Sequence, residues 1–176
     1  FNSFMLKKIN IADVSLRNHM EELEYKNKGI VHPNCDWDMC KALINEAFDL
    51  CDASFYDPYF LDMIWEVSTK YLTELEVSVI VDNDYNLFIS KGSGVFVDYK
   101  NEEVSGMKIP IKCWIHTHPF GKAYFSGTDW RTINTQKPIL NEAIVLGDGE
   151  SMRWYKQDGE EYLSRTEEIC LTSEEE

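Results

Sequence analysis

Two histidines one residue apart, His116 and His118, followed after ten intervening residues by Asp129, are the side chains in this sequence best placed to do chemistry. They close the apolar run that starts at Cys113, and Ser126 stands three residues ahead of the acid. Side chains two apart on an extended backbone point the same way, so both imidazoles can address one metal ion. A carboxylate beyond the intervening loop closes a third corner. Two nitrogens and one oxygen, with a fourth position left to water, form the ligand set of a catalytic rather than a structural zinc site.

Each part of the motif also has a plainer reading. A lone His on a strand is usually a hydrogen-bonded or solvated residue, and Ser-x-x-Asp at a helix start resembles a capping box. The conjunction carries the weight: two of the four His of the chain, then Pro119, then Ser126 and Asp129 at set offsets. A second zinc site built from His32, Cys35, Cys40 and Cys51 is disfavoured by irregular spacing, because Cys40 and Cys51 already belong to a helical apolar stripe. Parity puts Cys113 on the strand face opposite His116, where it reads as a buried thiol. Phe120, Tyr124 and Phe125 flank the motif on its loop and are the candidates for lining a substrate groove.

The elements that must position these residues follow from periodicity. Residues 10–26 are strongly polar and read as a weak helix or an irregular arm. Trp37, Cys40, Leu43, Ile44, Ala47, Phe48 and Cys51 recur at helical intervals, and Asp57-Pro58 opens a second helix striped by Phe60, Ile64, Val67 and Tyr71. These two helices are expected to cover one face of a sheet. The pattern turns β-branched at Val77–Val81; Asp82–Asn86 is a turn, and Leu87–Ser90 answers it as a hairpin. A third strand is expected at Val95–Tyr99, another from Lys108 to Thr117, a helix from Ser126 to Gln136 capped by Ser126 or Thr128, and strands at Asn141–Leu146 and Met152–Lys156. The expected class is α/β or α+β, with a mixed, largely antiparallel sheet flanked by helices.

Composition bounds the function. The chain of 176 residues has 17 Lys and Arg against 31 Asp and Glu, a net charge of -14. That charge argues against nucleic acid, which requires a basic face, and favours a cationic partner surface. Five Cys without a CxxC pair, in a chain long enough to bury its own core, read as reduced thiols. With no apolar run of membrane-spanning length and no signal peptide opening the chain, the expectation is a cytoplasmic protein without a membrane partner.

His116-Thr-His-Pro119 followed by Ser126-Gly-Thr-Asp129 resembles the His-x-His-x10-Asp signature, with its internal Ser-x-x-Asp, of the JAMM (MPN-plus) zinc metalloproteases. The resemblance extends over the order of helix, hairpin and strands from about residue 58 to 164, leaving 1–57 as an N-terminal arm and helical extension and 165–176 as an acidic tail. It implies a cytidine-deaminase-like sheet flanked by helices and a zinc-dependent isopeptidase or peptidase acting on ubiquitin or a ubiquitin-like protein. By the same resemblance His116, His118 and Asp129 are the zinc ligands, and Ser126 hydrogen-bonds the oxyanion. A Glu near an early strand serves as the base that takes a proton from the attacking water. Glu76, directly against the apolar run Val77–Val81, is the preferred candidate for that role; Glu74 is the second, and Glu66, within a helical stripe, the third.

The sequence departs from the family in two places. About a dozen residues separate Asp129 from the strand at Asn141, too few for the later insertion of members that discriminate between ubiquitin chains. The Gly-rich turn that often follows the family's Glu is replaced by Val77-Ser-Val-Ile-Val. This compact form is similar to prokaryotic, archaeal or viral members, whose substrates include ubiquitin-like sulfur carriers, and it leaves recognition or homodimer formation to the N-terminal helices. Two competing readings stand beside the hydrolase: a non-catalytic interaction module of the MPN type, and a zinc hydrolase of a small molecule.

Overall fold

The computed structural model describes residues 36–92 and 106–166. The expected arm at 10–26, the strand at Val95–Tyr99 and the acidic end of the chain beyond 166 lie outside the described residues. Contacts divide the chain between Glu74 and Leu75 into two compact units, the second running Leu75–Glu167. Helix α2, which the sequence groups with the core, falls on the first side of that division.

In the first unit, α1 (Trp37–Leu50) starts at Asp36, whose Oδ1 accepts from Asp38 N–H at 3.0 Å. Its buried residues, Cys40, Leu43, Ile44, Ala47 and Phe48, form one stripe at the expected spacing. Asp57 caps α2 (Pro58–Glu66) in the same way, accepting from Tyr59 N–H at 2.9 Å, with Pro58 at the first helical position where no N–H is needed. The rings of Phe48 and Phe60 meet at 4.7 Å, which joins the two stripes. The helical path continues through a π-helical turn, Val67–Tyr71, and ends where Thr73 and Glu74 take φ of 59° and 64°. Left-handed backbone at a β-branched residue is a costly stop.

The second unit is a six-stranded mixed sheet, ordered β2-β1-β3-β4-β5-β6, from β1 (Val77–Val81), β2 (Leu87–Lys91), β3 (Cys113–Thr117), β4 (Glu142–Gly147), β5 (Glu150–Gln157) and β6 (Glu160–Thr166). Only β3 and β4 run parallel, and α3 (Gly127–Gln136) is the crossover between them. The mixed, largely antiparallel sheet expected from the sequence is therefore present. Trp114 and Ile80, with Ala143, Val145 and Trp154 from the neighbouring strands, form one buried face on which α3 sets Ile133. Trp114 Nε1 donates to Ser78 Oγ at 3.0 Å, so the large indole is buried without stranding its polar atom.

The hairpin turn is held by Asp82, whose carboxylate accepts from Asp84 N–H and Asn86 N–H, at 2.9 and 2.8 Å, and from Lys108 N–H at 3.0 Å. These bonds hold the carboxyl below its usual range against the opposing effect of burial, and they tie the turn to the chain entering β3. Regular pairing in β3 begins only at Cys113, not at Lys108; the segment before it makes a single bridge, Ile111 to Leu140, and Pro110 has no N–H for a ladder. Strand β6 was not expected. Its residues are almost all exposed, so no inward alternation marks it. Its sequence signal is the Asp158-Gly159 turn, with both φ positive (54° and 81°) as a tight hairpin requires. Among the described residues no helix is long and apolar enough to cross a membrane.

Candidate metal centre

The site lies at the carboxyl end of β3, where the chain leaves the sheet for the crossover helix. His116 is the fourth residue of β3 and shares its face with Trp114; the two rings stack at 4.5 Å with planes 16° apart. His118 is just past the strand, and its backbone N–H donates to Leu146 O of β4 at 2.8 Å. Asp129 comes from the first turn of α3. Its Oδ2 lies 3.1 Å from His116 Nε2 and 3.3 Å from His118 Nε2 and also accepts from Ser126 N–H at 2.9 Å. Ser126 Oγ accepts in return from Asp129 N–H at 3.1 Å. The capping box and the His-His-Asp group thus share Asp129: the cap aims its carboxylate at the two imidazoles.

His116, His118 and Asp129 offer one donor atom each within 4.8 Å of one another, and His116 and Asp129 are buried. This group could bind a metal ion. Burial lowers the pKa of His116 against the pull of Asp129, which keeps its imidazole in the neutral form that has a lone pair to give. Burial opposes ionisation of Asp129, but hydrogen bonds from both imidazoles and from Ser126 N–H outweigh it and hold the carboxyl well below the usual range. Two imidazoles aimed at one carboxylate oxygen, with the third side open to a cleft, suit a divalent cation. The other ring nitrogen, His116 Nδ1, is buried without a hydrogen-bond partner among the described residues. Stacking on Trp114, with Phe125 at 6.3 Å, orients the ring in place of an outer hydrogen bond.

A cleft of about 400 Å³ opens onto His118 and Asp129 and is lined by Glu76, Phe120, Tyr124 and Ser126 among others. Glu76 is brought there by register. Ser78 is paired with His116 across the antiparallel β1–β3 ladder, so two residues further Glu76 stands opposite His118. Its carbonyl accepts from Gly92 N–H at 2.9 Å, which extends the β1–β2 pairing by one step. Half-burial raises the Glu76 carboxyl, the positive side of His118 works against that rise, and Asp129 adds to it. Glu74, the second candidate, does not line the cleft: it sits in the left-handed turn at Thr73 and Glu74 ahead of β1, and its side chain is exposed. Glu66 is the last residue of α2 and does not line the cleft either.

Of the three aromatic candidates, Phe120 and Tyr124 line the cleft, 73% and 52% exposed, and the ring of Tyr124 meets that of His118 edge-on at 4.9 Å. Phe125 is placed otherwise: it is buried in the core cluster against Trp130, at 5.2 Å, and supports His116 from behind. Cys113 is fully buried on the opposite strand face, where burial pushes its thiol well up, so it offers no thiolate.

The sequence did not reveal what anchors the loop between the ligands. Ala123 N–H donates to Glu150 Oε2 at 2.7 Å, and Asp148 N–H donates to Gly121 O at 2.8 Å. Gly147 makes this approach possible, because a Cβ there would meet Lys122 C at 2.6 Å and Gly121 O at 2.7 Å, besides Ala123 N. In sequence Gly147 looks like part of a turn. Its role is invisible there because the backbone it touches is more than twenty residues away. Gly147→Ala is expected to displace the loop, cost about 1–3 kcal/mol through backbone overlap, and weaken metal binding without altering a ligand. Urea unfolding and zinc titration of the variant check this; unchanged values for both would remove Gly147 from the support of the site.

These features define a mixed α/β chain with a buried His-His-Asp group at the start of its crossover helix. Compared with protein-family models, curated proteins and solved structures, the chain matches none.

Proposed function

We propose that the chain is a cytoplasmic zinc-dependent peptidase or isopeptidase of the JAMM type, which hydrolyses the bond after the C-terminus of ubiquitin or a ubiquitin-like protein of the sulfur-carrier kind. The observation that carries this reading is the gathering of five groups, four of them lining one cleft: His118, Asp129, Glu76 opposite His118 and the Ser126 hydroxyl at the cap, with the buried His116 behind them completing three donor atoms within 4.8 Å. A zinc ion in such a ligand set supplies an acidified water and a Lewis acid for the scissile carbonyl. Glu76 takes a proton from the attacking water and hands it to the leaving amine; a carboxyl raised by half-burial is better matched to that transfer than an exposed one. Ser126 uses Oγ as an acceptor for the helix cap, which leaves its O–H proton to donate to the developing oxyanion. Phe120 and Tyr124 give the substrate tail apolar contact at the rim.

Cleavage of C-terminal fusions of ubiquitin and of a sulfur-carrier protein tests the reading directly. The protein is expected to carry zinc as isolated at neutral pH, to cut at least one of the two fusions, to stop when zinc is stripped by a chelator, and to recover when zinc returns. A metal-free protein at native pH, or cutting that survives chelation, would refute it.

A further inference from the structure

Between Pro119 and the cap of α3 the chain has no regular structure, yet its burial alternates. Lys122, Tyr124 and Ser126 line the cleft, whereas Ala123 and Phe125 are buried in the core cluster. A period of two marks extended backbone, in which the N–H and C=O groups of successive residues point to opposite sides. One side is occupied: Gly121 O and Ala123 N–H bond to Asp148 and Glu150. On the other side, the N–H and C=O groups of Lys122 and Tyr124 have no hydrogen-bond partner among the described residues. They form a short free strand edge inside the cleft.

This edge also carries a cation, Lys122, which lines the cleft. Lys41, Lys137, Arg153 and Arg165 each stand in an ion pair with an acid. Lys122 makes no such pair among the described residues, although acids outnumber bases 31 to 17 in the chain. The nearby Glu150 is engaged by Ala123 N–H and Arg165 and also feels the charge of Lys122 across the loop.

We propose that Lys122–Tyr124 is a substrate-docking strand, on which an extended peptide adds by main-chain hydrogen bonds while the Lys122 ammonium selects an acidic residue in that peptide. This rests on the reading of the cleft as a peptide-hydrolase site and deepens it by naming the substrate feature. Main-chain pairing supplies affinity with little regard to sequence, and the single cation supplies preference. The preference runs against the net charge of -14, which on its own favours basic partners. An exposed pair of this kind contributes about 1 kcal/mol, or about fivefold in affinity.

The test uses short synthetic peptides in which one Glu, Gln or Lys is moved along an otherwise neutral sequence, with versions N-methylated at alternate backbone nitrogens. Binding is measured on the zinc-loaded Glu76→Gln chain, and cleavage on the parent. At one peptide position Glu is expected to bind about fivefold tighter than Lys at low salt. That gap should vanish when Lys122→Gln is added and reverse with Lys122→Glu, and methylation should weaken binding at only one of the two alternate sets. No binding, equal binding of the Glu and Lys peptides, or a preference indifferent to residue 122 would overturn the docking strand. Cleavage by the parent is read separately: a charge preference in binding without any cleavage sinks the hydrolase reading and leaves the docking strand intact.

Discussion

Glu76→Gln is expected to keep its zinc and lose turnover by about 10² to 10⁴. Glu76 is not one of the three converging donors, so zinc content should match the parent; the amide occupies the same space opposite His118 but cannot accept a proton. Stability gives a second readout with a definite sign. A carboxyl raised above its unfolded value binds its proton more tightly when folded, so it costs stability once pH has risen through the interval between the two values. The metal-free Glu76→Gln protein should therefore unfold no more easily at neutral pH than the metal-free parent, and the parent alone should lose stability as pH rises through that interval. An inactive variant that is also less stable would make Glu76 a structural residue instead of a base. A variant as active as the parent would require another acid.

Asp129→Ala should remove the metal and weaken the fold at once. One carboxylate oxygen accepts from Ser126 N–H and faces both imidazoles, so its loss removes one half of the capping box, while Ser126 Oγ keeps its bond from residue 129 N–H, and leaves two ring nitrogens without their acceptor. The lost bond is worth about 0.5–1.5 kcal/mol, and buried polar groups left unpaired add about 1–3 kcal/mol. The metal-free variant should accordingly be about 1.5–4.5 kcal/mol less stable than the metal-free parent. Zinc at one hundred times its dissociation constant should stabilise the parent by about 2.7 kcal/mol more and the variant not at all. Thermal unfolding with and without zinc, together with metal analysis, checks both halves. A variant that binds zinc in equal amount would exclude Asp129 as a ligand.

Much of this was legible in the sequence because the two periods, 3.6 and 2, are strong over the elements that matter. The stripes of α1 and α2, the Asp82–Asn86 turn and the Ser126 cap lie where those patterns put them, and β3 carries His116 as expected although it starts only at Cys113. What was not legible depends on contacts between residues distant in the chain. Phe125 looked like rim because its neighbours in sequence are rim; only the extended path of the loop turns it inward. Glu74 stood as the second candidate because it lies two residues before Glu76, but a left-handed turn at Thr73 and Glu74 interrupts the extension that would carry it to the same place. Strand β6 lacks an inward face, so alternation could not show it, although Asp158-Gly159 announced the hairpin. Gly147 showed no sign at all of the backbone it admits.

The carboxylate that closes the capping box and also faces the two imidazoles makes the two halves of the motif unequal witnesses. A descendant that abandoned its metal would still be rewarded for an acid at 129, because the acid goes on satisfying Ser126 N–H at the start of the helix. Two imidazoles crowded together, one of them wholly buried, bring the fold no comparable return. Among chains of this architecture, then, drift should erase His116 and His118 first and Asp129 last. The histidines are the residues to inspect when asking whether a relative still works.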